Sequence, residues 1–128
     1  MPPPLTEARL AGRDLLLVFA TTVWIDRVRK RRGPAILLPS LRERGRRSPV
    51  RTDAERARLR RFISFADRLF PDRGNCYRRV LVEITLDPMS ADEQVHFGLK
   101  ANGGHGSGHA WLSDRRGTTD PYDAELAL

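Results

Sequence analysis

The chain has 128 residues, enough for one hydrophobic core and too few for two. Its hydrophobic fraction of 40% fits a folded protein, and its longest apolar run, Leu15 to Ile25, falls well short of the about 20 residues that span a bilayer. The net charge of +7 is concentrated in residues 27–61, which carry fourteen basic and three acidic groups, against two and three in residues 1–26 and seven and ten in residues 62–128.

In chain order, Met1-Pro2-Pro3-Pro4 is an extended end. Thr6 is an N-cap residue with Glu7 in the first turn, and the pattern from there to about Arg31 is helical. Arg27, Arg29, Lys30 and Arg31 suit the C-terminal end of the helix dipole, and Gly33-Pro34 stop it. Residues 34–50 hold a short apolar piece, then Pro39 and an arginine-rich run. They read as a linker with one turn of helix, and as the most mobile internal part. Thr52 to Glu55 is a capping box, opening a helix to about Leu69 whose Leu59, Phe62, Ile63, Ala66, Leu69 and Phe70 face the core.

Pro71 to Gly74 is turn chemistry, and Asn75 is an N-cap for a third helix from Cys76 to Leu86, buried through Tyr77, Val80, Leu81 and Ile84. Met89 to Glu93 is a loop or single turn. Val95, Phe97 and Leu99 alternate with His96, Gly98 and Lys100 as a half-buried strand. Ala101 to Gly108, half glycine, reads as a flexible loop into a short strand from His109. Asp114 to Gly117 then turns the chain back as a hairpin, which sets His109 opposite Asp120. Helices first and a small antiparallel sheet after them make the α+β class, in a single domain over residues 1–128. Residues 1–50 are its helical N-terminal extension with the basic linker, and residues 51–128 its core.

Cys76 is the only cysteine, which excludes an intrachain disulfide. With no recognisable secretory signal, the expected compartment is a reducing cytoplasm. A lone cysteine is most often a small buried hydrophobe. At a helix start, however, free backbone N–H groups stabilise thiolate over thiol, and the cysteine's own N–H is a natural oxyanion donor. Arg78 and Arg79 add positive field. His109 is the candidate base and Asp120 the candidate orienter of its ring, with Asp114 and Asp123 competing for the third role. Gln94 and Asn75 are both open as oxyanion side chains. His96, His105, His109 and Cys76 lack the spacing of a zinc site, and the glycines of 103–108 lack a following P-loop lysine, so no metal or cofactor is expected. The basic stripe reads first as a solvated arginine surface; as a binding surface it suits an acidic peptide better than nucleic acid, because no aromatic residue interleaves with Arg42 to Arg51.

Asn75-Cys76-Tyr77-Arg78-Arg79, Phe97-Gly98-Leu99, Gly108-His109-Ala110-Trp111-Leu112 and Asp120 resemble the transglutaminase-like cysteine peptidases of lasso-peptide biosynthesis, the leader peptidases related to the C-terminal part of the microcin-processing B protein. The resemblance implies a papain-like core over residues 51–128 with Cys76, His109 and Asp120 as its triad. It also implies removal of the leader from a ribosomally made precursor peptide, with a separate small leader-binding protein and an ATP-dependent cyclase as partners. Ser113 stands where the family commonly has glutamate, and Tyr77 where it has leucine. Two other functions fit the residues: acyl transfer to an amine through the same thiol, and a non-catalytic basic module that holds an acidic peptide or nucleic acid.

Overall fold

Thr52 and Glu55 exchange the two hydrogen bonds of a capping box, at 3.2 and 3.3 Å, and fix the start of a helix where the sequence placed one. The computed structural model describes residues 5–102, 105–112 and 124–128. Over these the helices are α1 (Leu5–Arg29), α2 (Pro34–Arg46), α3 (Asp53–Asp67), α4 (Cys76–Leu86) and the single turn α5 (Pro88–Ala91). The strands are β1 (Val95–Asn102), β2 (His105–Leu112) and β3 (Ala124–Ala127). The sheet is antiparallel in the order β2-β1-β3.

Three local expectations are corrected. Residues 34–50 are not a linker: Pro34 opens α2, and Leu37, Leu38 and Leu41 are buried against α4 and α5. Pro39 removes one backbone hydrogen bond, a cost of about 3 kcal/mol in a helix interior, which three buried leucines at about 1.5–3 kcal/mol each offset. The glycine-rich segment is not a loop but part of a β1–β2 hairpin, with Lys100 opposite Ser107 and Asn102 opposite His105. Strand pairing needs backbone N–H and C=O groups, which glycine supplies as well as any residue. Leu69 is exposed, because α3 stops at Asp67.

α4 is the hub. Helices α1, α2, α3 and α5 and strand β2 all pack on it, and Arg78, Leu81, Val82, Glu83, Ile84, Thr85 and Leu86 are all buried. Val18 and Ile25 of α1, Leu41 of α2, Leu59 and Ile63 of α3, and Val95 and Leu112 of the sheet join Leu81 and Ile84 in one core. At Gly45 the backbone of α2 lies so close to α4 that an added Cβ would stand 1.9 Å from the Ile84 carbonyl oxygen.

Much of the basic stripe is spent inside the molecule. Arg42 donates to the carbonyls of Ala91, Glu93 and Leu128 at 2.7, 2.6 and 2.9 Å, tying α2 to the chain end beside β1. Arg51 reaches Asp14 and the Leu86 carbonyl, Arg56 reaches Asp87, and Arg58 reaches Asp14. Arg44 lies over the Trp24 ring, 4.4 Å from its centroid. Among the described residues, no helix is long and apolar enough to cross a membrane.

Candidate active site

The turn before α4 is clamped from several sides. Gly74 adopts φ 84°, a left-handed conformation that favours glycine, and its N–H donates to Asp67 at 2.7 Å. The Asn75 side chain accepts from the Arg78 N–H at 2.9 Å as the N-cap, and its amide donates to Asp72. Asn75 is therefore committed to the turn rather than to an oxyanion. Cys76 follows as the first residue of α4.

The Arg78 side chain is fully buried and donates to Asp67, to Asp72 at 2.7 Å and to Asp26 at 3.1 Å, with the Phe70 ring beneath it. One guanidinium thus joins α1, the end of α3 and the turn that presents the cysteine. Its charge is met by carboxylates, so it is a structural clamp and not a free field at the sulfur. The sequence had assigned that field to both Arg78 and Arg79; only Arg79 keeps it. Among the described residues no carboxylate pairs with Arg79, and its buried Nε has no hydrogen-bond partner.

β2 brings the imidazole. The Ala110 backbone N–H donates to the Cys76 Sγ at 3.1 Å, fixing strand and helix start against each other. His109 is the preceding residue, stacked at 5.8 Å on Trp111, which in turn stacks at 5.5 Å on His96 across the β1–β2 pair. Burial, and after it the nearby Arg79 charge, holds the His109 pKa below its usual 6.5. Both causes favour the neutral ring, the form that accepts a proton.

Cys76, His109 and Ala110 form the partition between two cavities. The first, about 240 Å³, is lined also by Arg60, Ile63, Arg79, Glu83 and Trp111. The second, about 330 Å³, is lined also by Gly74, Tyr77, Phe97 and Gly98. Gly98 lies directly opposite His109 and places no side chain there. The Tyr77 hydroxyl is buried without a hydrogen-bond partner, and its ring packs 5.6 Å from that of Phe97.

Of the expected triad, Cys76 and His109 line the same two cavities. Asp120, its rivals Asp114 and Asp123, and the hairpin expected to carry them lie outside the described residues. Gln94 lines neither cavity. Arg60 and Glu83 were not expected at the site. The signal for Glu83 was present, since Cys76, Arg79, Val80 and Glu83 stand at i, i+3, i+4 and i+7 on one face of α4. Among the described residues, no three His, Cys, Asp or Glu side chains gather in a group able to hold a metal ion.

A family model described as the transglutaminase-like superfamily matches residues 19–126. The chain belongs to the transglutaminase-like superfamily. No curated protein and no solved structure matches it. In this transglutaminase-like chain the match spans the helix that starts with Cys76 and the strand that carries His109, together with the helices that bury them. Membership points to cysteine peptidase or acyltransferase chemistry.

Proposed function

We propose that the chain is a cysteine peptidase of papain-like arrangement that removes the leader from a ribosomally made precursor peptide during lasso-peptide maturation. The observation that supports the chemistry is that Cys76 and His109 line the same two cavities. The choice of substrate rests on the resemblance of the Asn75 to Arg79 and Gly108 to Leu112 segments to the leader peptidases.

In this reading His109 takes the Cys76 thiol proton, and the sulfur attacks the carbonyl carbon at the leader–core junction. The C–S bond forms, and the oxygen takes the displaced electron pair facing the Cys76 N–H at the start of α4. His109 returns its proton to the departing amine as the C–N bond breaks. Water then attacks the thioester, giving a proton to His109, and the thiol leaves restored. Asp120 holds the imidazole in its working tautomer. The basic surface and the single thiol fit a cytoplasmic enzyme, with a small leader-binding protein presenting the precursor and an ATP-dependent cyclase closing the freed core.

The test is to weigh the products of a precursor peptide incubated with the protein and its leader-binding partner, with and without an added amine. Two fragments whose masses sum to precursor plus water are expected, and none with Cys76→Ala. An amine adduct in place of the acid would assign acyl transfer instead. No product from the parent protein would end the catalytic reading.

A further inference from the structure

The cavity between α3, α4 and β2 carries a charge that hydrolysis of a peptide bond does not require. Two guanidinium groups line it, those of Arg60 and Arg79. They are not equivalent. Arg60 has a carboxylate beside it, with its Nε 3.8 Å from Glu83, and Glu83 is itself buried and accepts from the Ser90 hydroxyl at 2.6 Å. Arg79 has no such carboxylate among the described residues, and that is the difference, since the Nε atoms of both arginines are buried without a hydrogen-bond partner. A guanidinium charge that no carboxylate meets favours a ligand that brings one to the terminal N–H groups of the fork. Of the remaining walls Ile63, Val80, Trp111 and Leu112 are apolar, and Ser64 is polar.

We propose that Arg79 determines specificity at this site: the cavity takes a substrate residue bearing a carboxylate, which the Arg79 fork pairs while the adjoining peptide bond lies at the Cys76 sulfur. This rests on the peptidase reading for its biological setting and adds the substrate chemistry to it. Arg79 stands one helical turn from Cys76 on the same face of α4, so the carboxylate belongs to a residue flanking the scissile bond and not to a distant docking segment. Lysine would not replace it fully, because an ammonium lacks the planar pair of donors.

The single cysteine permits a test that needs no knowledge of the natural substrate. Iodoacetate and iodoacetamide alkylate the same thiolate, so the ratio of their rate constants cancels thiolate content and reports carboxylate attraction alone. With alkylation followed by intact mass, the ratio for the parent protein should exceed that for N-acetylcysteine by about tenfold, as one charge-assisted pair in a partly screened site would give. It should fall to within about twofold of N-acetylcysteine in Arg79→Gln and lie between the two in Arg79→Lys. A parent ratio no higher than that of N-acetylcysteine, or one unchanged in folded Arg79→Gln, overturns the proposal. Should Arg79→Gln fail to fold, competition on the parent protein decides: N-acetylglutamate α-amide and N-acetylalanine should slow iodoacetamide, and their amide counterparts should not. Protection by the first marks an internal acidic side chain, and by the second a C-terminal carboxylate; protection by neither overturns the subsite. Loss of peptide cleavage with the ratio preserved would sink the peptidase reading and leave the carboxylate subsite standing.

Discussion

Replacing Arg78 by leucine should unfold much of the margin on which this protein stands. The three carboxylates around it are not left in the same condition. Asp26 keeps Arg29 at 2.8 Å and Lys30 at 3.1 Å, and Asp72 keeps Arg29 at 2.9 Å and is half exposed. Asp67 is 2% exposed and retains only the Gly74 N–H among its charge-meeting contacts in the described residues. The cost is therefore that of one uncompensated buried carboxylate, about 3–5 kcal/mol, and toward the lower figure because Gly74 still donates. With an m-value of about 1.5 kcal/mol/M, a loss of about 3 kcal/mol lowers the urea midpoint by about 2 M. Unfolding followed by fluorescence of Trp24 and Trp111 reads that shift. Asp67→Asn added to Arg78→Leu removes the stranded charge and should recover part of the loss.

The same clamp sets an acid limit. Hydrogen bonds from Arg78 hold the Asp72 carboxyl at about 2, and at Asp26 those from Arg29, Lys30 and Arg78 outweigh the upward push of burial. Both folded values lie below the unfolded 3.8, so the stability they confer is present above that pH and is lost as pH falls toward 2. In Arg78→Leu that acid dependence should flatten. A midpoint lowered by less than about 0.5 M at pH 7, with parent acid dependence retained, would refute the account of Arg78 as the clamp.

Gly45→Ala should destabilise by about 1–3 kcal/mol or more, because its Cβ would meet the rigid Ile84 carbonyl at 1.9 Å and part α2 from α4; thermal unfolding measures it, and an unchanged midpoint would contradict the close approach. Arg79→Gln removes a positive charge that disfavours the imidazolium, so the His109 pKa should rise and the acid limb of kcat/KM for peptide cleavage should move to higher pH. A limb that stays in place or moves down would show that Arg79 does not act on that ring.

The sequence by itself determined the pieces whose cause is local. A capping box, an asparagine cap and the residue types that follow them set α3 and α4 wherever the chain goes, because the first N–H groups of a helix need acceptors close by in the chain. Cys76 at a helix start and His109 on a strand were legible for that reason, and their residue types named the chemistry. Tertiary structure decided what depends on partners far along the chain. Residues 34–46 are a helix against the local signal of Pro39, because three leucines find α4 and α5 there. The glycines of 105–108 are strand because β1 offers them a ladder. Arg78 and Arg79 are adjacent and chemically identical, yet one is a buried clamp and the other faces the cavity beside the sulfur. A helix turns each residue about 100° from the last, so neighbouring arginines meet different surroundings, and only the packing of α1, α3 and β2 around α4 says which.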